Sequence, residues 1–128
     1  MKPIFQTKLH IKGKQRGNCM RAVFASLLEL SIDEVPPFED MPDSKYFPKL
    51  LDWLESIGFY LLQWDEEIYL PVFYIANGIS PRGVSHSVVY FEEKMVHDPH
   101  PSGLGINTIT SVWVLLPINP VFNSTMKG

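Results

Sequence analysis

The chain has 128 residues, of which 45% are hydrophobic and 20% charged, with a net charge of −3. That is the composition of one soluble globular domain, long enough to enclose a core. No apolar run approaches the ~20 residues of a membrane helix, no secretory signal follows the N-terminal charge, and a single cysteine suits a reducing cytosol, so a cytoplasmic protein is expected.

Charge is unevenly spread. The first 28 residues hold Lys2, Lys8, Lys12, Lys14, Arg16 and Arg21 and no acid, leaving five cations against fourteen acids downstream. Such a segment reads as a solvated basic arm, a positive field around Cys19, or a surface for an acidic partner. It is too short, and too poor in interleaved aromatics, to argue for nucleic acid.

Residues 1–18 read as extended or irregular, with a strand at Ile4–Thr7. The pattern predicts a helix over 19–30, because Met20, Val23, Phe24, Leu27 and Leu28 fall on one stripe. Asn18 is placed as its N-cap, which puts Cys19 in the first turn. Backbone N–H groups there lack helical partners and carry partial positive charge, a field that favours thiolate. Ser31–Val35 adds a short turn, and Pro36-Pro37 opens an acidic loop over 36–46. A second helix is expected over 47–57, with Leu50, Leu51, Leu54 and Ile57 inward, Pro48 in its first turn and Gly58 past its end.

Strands follow at Phe59–Gln63, Pro71–Ala76, His86–Phe91, Lys94–Asp98 and Val112–Leu116, with loops at Gly78, Ser80–Gly83 and Pro99–Gly105. Helices first and a meandering sheet after predict an α+β domain. Asn123-Ser124-Thr125 matches a glycosylation sequon that reads as coincidence without a secretion signal.

One unpaired cysteine is either inert packing or chemistry. For chemistry it needs a base within hydrogen-bond reach, and the base needs an orienting group. His86 opens one strand and Asp98 closes the next. If a three-residue loop at 92–94 pairs Phe91 with Met95, then His86, Val88, Tyr90, Val96 and Asp98 share a face, and His97 points the other way. A two-residue loop would put Asp98 on the wrong face. In such a triad Cys19 attacks a carbonyl carbon, His86 moves the proton, and Asp98 fixes the imidazole tautomer. The oxyanion would take the Cys19 N–H and a glutamine amide, from Gln6 on its expected strand or from Gln15 in a loop. Arg82 either holds a substrate carboxylate or closes the loop before His86. A zinc site from Cys19, His86, His97 and His100 lacks a standard spacing, so neither a metal nor another cofactor is expected.

These residues resemble papain-like cysteine peptidases, and among them the bacteriocin-processing domains that cleave double-glycine leaders. The likeness rests on a cysteine opening the first helix, His86-Ser87-Val88-Val89 opening a strand, and Val96-His97-Asp98-Pro99 ending the next. The chain also resembles small uncharacterised phage and bacterial proteins through Gly17-Asn18-Cys19, Val35-Pro36, Ser80-Pro81-Arg82-Gly83 and His97-Asp98-Pro99-His100-Pro101. The resemblance implies a papain-like fold with its cysteine helix packed on an antiparallel sheet. It implies Cys19, His86 and Asp98 as triad, a glutamine in the oxyanion hole, and a peptide or protein substrate cut at an amide or isopeptide bond through a thioester. The alternatives are a cell-wall amidase of the CHAP type, and a catalytically silent papain-like module that binds, for example, a host protein.

Overall fold

The first helix, α1, spans Cys19–Leu28 and buries Ala22, Val23, Phe24, Ala25 and Ser26. It is shorter than the expected 19–30 because Glu29 adopts the left-handed conformation (φ 55°) and returns its N–H to Ala25 O. A computed structural model describes residues 1–119; the Asn123-Ser124-Thr125 sequon lies outside the described residues. Two short 3₁₀ turns follow, Ile32–Glu34 and Phe38–Asp40. The first is fixed by a capping box between Ser31 and Glu34. The second interrupts the stretch expected as loop.

Helix α2 spans Asp43–Ser56, starting four residues before the expected 47. Pro42, not the chain near Pro48, marks its entry, and the Tyr46 N–H bonds Pro42 O at 3.1 Å. Pro48 lies inside the helix. Leu50 and Leu54 are fully buried as expected, whereas Leu51 and Ile57 stay exposed.

Five strands follow: β1 Phe59–Trp64, β2 Leu70–Ile79, β3 Ser85–Glu92, β4 Lys94–His97 and β5 Thr108–Pro117. They form one antiparallel sheet in the order β1-β5-β2-β3-β4. The expected meander is therefore broken, since β5 returns to lie between β1 and β2. Gly78 belongs to β2 rather than to a loop. A Cβ built there would stand 1.8 Å from the Thr108 carbonyl oxygen, so the close approach of β5 requires glycine.

Both helices pack on one face of the sheet, where Phe24, Leu50 and Leu54 meet Ile75, Val89 and Trp113. The opposite face carries Tyr74, Ala76, Val88, Val112 and Val114, covered by Ile68, Leu70 and Ile106. The molecule is thus an α+β fold with Cys19 at the start of its first helix.

The N-terminal segment forms no strand at Ile4–Thr7. It runs across α1 as a strap held at discrete points. Lys2 N–H bonds Ser26 O at 2.9 Å, Ile4 N–H bonds Ser26 Oγ at 2.9 Å, and Gln6 N–H bonds Pro99 O at 3.0 Å. His97 adds a fourth point, with Nε2 2.7 Å from Ile4 O.

Candidate active site

Local sequence fixes where Cys19 sits. Asn18 occupies the N-cap position, with its carbonyl accepting the Ala22 N–H at 3.1 Å. Its side chain does not cap the helix, contrary to expectation. It is turned toward the strap instead: Oδ1 accepts the N–H groups of Thr7 (3.0 Å) and Lys8 (2.9 Å), and Nδ2 donates to Thr7 Oγ1 (2.8 Å). With 1% of its surface exposed, Asn18 ties the strap to the cysteine end of α1.

His86 and Asp98 meet as the residue pattern demands, but by a different route. The hairpin has the two-residue turn that would place Asp98 on the wrong face, with Phe91 opposite Lys94 and Tyr90 opposite Met95. A bulge then intervenes and Val89 pairs with His97. Val96 is the extra residue, and it shifts every later position by one. Asp98 is thereby returned to the His86 face, and His86 Nε2 lies 2.7 Å from Asp98 Oδ1. His97 points to the other face and pins the strap.

Asp98 accepts three hydrogen bonds. Besides His86, its Oδ1 takes the His100 N–H at 2.9 Å, and its Oδ2 takes the Gly105 N–H at 2.9 Å. Burial raises its pKa, but the His86 ring and these two amides outweigh that and hold the carboxyl below its usual range. His86, 5% exposed, is shifted down. Desolvation is the largest cause, opposed by the Asp98 bond and charge and reinforced by Arg82. The ring is therefore neutral near pH 7, with Nε2 facing the carboxylate and Nδ1 left over.

Cys19 lines one cavity of about 770 Å³ with Gln6, Arg82, His86, Ser87 and His100. Among the described residues the sulfur makes no hydrogen bond to His86, and the two are brought to the same cavity unengaged. The thiol pKa is raised, not lowered as the helix start suggests. Burial is the largest cause; the Ser87 N–H and hydroxyl and the Met20 N–H act against it, and the Asp98 charge adds to it.

The two candidate glutamines separate. Gln6 lines the cavity, donates Nε2 to Lys8 O at 2.8 Å, and passes 3.0 Å from where a Gly17 Cβ would be. Its Oε1 is buried without a partner. Gln15 is exposed, donates to Leu9 O at 2.7 Å, and is not part of this cavity. Arg82 is exposed at the rim and donates to Ser102 Oγ at 3.2 Å, which closes one loop on the other. His100 binds Ser102 through Nδ1 (2.8 Å to Oγ) and stands edge-on to His86. The four-residue zinc set does not converge, because His97 faces Ile4, and among the described residues no group of three or more His, Cys, Asp or Glu could hold a metal.

Three of the six N-terminal cations are paired with acids. Lys8 and Arg21 both reach Glu39 Oε2, at 3.1 and 3.2 Å, and Arg16 pairs with Asp43 at 2.7 Å. Ser87, Asn77 and Ser111 are cavity-lining residues that sequence reasoning did not single out. The available signal was Ser87 itself, a polar residue at a strand position sharing its face with Val89.

No helix of the described residues is long and apolar enough to cross a membrane. Compared with known proteins, the chain matches no family model, no curated protein and no solved structure.

Proposed function

We propose that this protein is a cysteine hydrolase that cuts an amide or isopeptide bond of a peptide or protein through a thioester. The observation that carries the reading is His86, which lines the same cavity as Cys19 and is held from behind by Asp98 at 2.7 Å. Two helices on a five-stranded antiparallel sheet, with the cysteine at the start of the first, suit a papain-like domain of the bacteriocin-processing kind. A free thiol suits work in the cytoplasm.

At rest both groups are neutral, as burial dictates for each. Asp98 holds the ring proton on Nε2, which leaves Nδ1 as the base. Substrate binding brings the pair into contact, and His86 Nδ1 takes the thiol proton as sulfur attacks the carbonyl carbon. The oxyanion is received by the Cys19 N–H and by the second N–H of Gln6 Nε2, whose first is held by Lys8 O. His86 then gives its proton to the leaving nitrogen, the C–N bond breaks, and the thioester remains. Water deprotonated by His86 attacks the thioester, and the thiol leaves with the returned proton.

The test is turnover of a panel of amide, isopeptide and leader-type peptides by wild type, Cys19→Ala and His86→Ala. Cleavage by wild type alone supports the reading. Cleavage of peptidoglycan but not peptides transfers the bond to the cell wall, as in CHAP-type amidases. No cleavage of either leaves a silent binding module and overturns hydrolysis.

A further inference from the structure

Beneath α1 the sheet face is apolar, with Val89, Ile75 and Trp113 paired side by side across β3, β2 and β5. The next row on that face, toward the cysteine end, is polar. Ser87 lies opposite Asn77, and Asn77 lies opposite Ser111. The three are joined by hydrogen bonds: Ser87 Oγ donates to Asn77 Oδ1 at 2.6 Å, and Asn77 Nδ2 donates to Ser111 Oγ at 3.1 Å. Thr110 Oγ1 fastens the Asn77 backbone at 3.2 Å. Ser87 is 6% exposed, and the whole row lines the cavity with Cys19.

A core-facing polar row costs more than an apolar one unless each member has a partner or a task. Asn77 is satisfied at both ends of its amide. Ser87 is not: its single proton goes to Asn77, while its residue ends the row in the cavity that Cys19 also lines. We propose that the Ser111–Asn77–Ser87 row is a positioning device for the proposed cysteine nucleophile, holding the Ser87 hydroxyl where it receives the negative charge that forms on the Cys19 sulfur. This rests on the cysteine hydrolase reading. In the thiol state the Ser87 proton stays on Asn77 Oδ1. As sulfur loses its proton to His86, the hydroxyl turns and donates to the thiolate, and no bond to carbon changes. Asn77 is both the support of Ser87 and its competitor for that proton. The proximity of the Ser87 hydroxyl, which opposes the burial-driven rise of the Cys19 pKa, agrees with this role.

Other titratable groups line the same cavity: His86 from the sheet, Arg82 and His100 from the loops, Glu39, Asp43 and Tyr46 from the segment after α1, and His10 and Arg16 from the N-terminal segment, while the Asp98 charge acts on the sulfur from behind His86. The variants that follow alter none of them.

The experiment is the pH dependence of Cys19 alkylation by iodoacetamide in the full chain, read by intact mass, with urea unfolding in parallel. Ser87→Ala is expected to move the midpoint up by about one pH unit, a tenfold slower reaction below it. Ser87→Thr, which keeps the hydroxyl, restores it. Asn77→Leu frees the hydroxyl and moves the midpoint down. A merely structural row would give both Ser87→Ala and Asn77→Leu the same sign. A midpoint unmoved by Ser87→Ala, or raised alike by both variants, overturns the inference. The predicted shifts without turnover of any substrate would uphold the row and sink the hydrolase reading alone.

Discussion

Replacing Asp98 by asparagine tests a buried side chain that accepts three hydrogen bonds. The carboxylate accepts from three donors, His86 Nε2 and His100 N on Oδ1 and Gly105 N on Oδ2. An asparagine has one acceptor oxygen and one amino group. Turned one way, its nitrogen faces the Gly105 N–H; turned the other, it faces both His86 and His100. At least one donor is left facing a donor, and the remaining bonds lose their charge. With charged hydrogen bonds at about 1.5–3 kcal/mol each, the variant should lose about 2–4 kcal/mol of stability at pH 7. Urea unfolding by linear extrapolation reads this directly. Both pKa values of the pair are depressed, so the unfolded chain binds more protons than the folded one. Stability is therefore full above pH 6.5 and falls as pH drops, first through the lowered His86 range and then below 3.8 as Asp98 protonates. The variant should lack the second fall. A loss under about 0.5 kcal/mol, within the range of an ordinary surface substitution, would refute the reasoning.

Other consequences are as concrete. Gly78→Ala should destabilise the fold by about 3 kcal/mol, seen in thermal or urea unfolding, because its Cβ would overlap the Thr108 carbonyl at 1.8 Å. Gln6→Ala should lower kcat on a cleaved peptide by about 10²–10³, whereas Gln15→Ala should leave it unchanged; the reverse ranking would move the oxyanion donor. Turnover should rise with pH along an acid limb whose midpoint lies below 6.5, since His86 must be neutral to act and its pKa is lowered. A midpoint above 6.5 would contradict the buried, neutral base.

Much of this was legible in the residues. The α1 stripe placed Cys19 at a helix start, and the demand that Asp98 reach His86 was correctly posed. Register was beyond reach, because the turn length and the Val96 bulge are two opposite one-residue shifts that cancel at Asp98 and leave the same facing. Capping preference identified Asn18 but not its role, since its amide found the Thr7 and Lys8 N–H groups instead of the helix. The helix field suggested a low thiol pKa, and it was burial, a property of the packed sheet, that decided the sign. Gln6 and Gln15 could not be ranked by spacing, because a strap with no regular structure carries one into the cavity and leaves the other in solvent. Gly78 read as a turn, although its place in β2 follows from a neighbour thirty residues away.

The most direct measurement is covalent trapping of the wild-type chain with a peptidyl electrophile near pH 7, followed by intact mass and peptide mapping. One adduct at Cys19 is expected, absent in Cys19→Ala and formed about 10² times more slowly in His86→Ala. Equal labelling of wild type and His86→Ala would contradict a nucleophile served by that histidine.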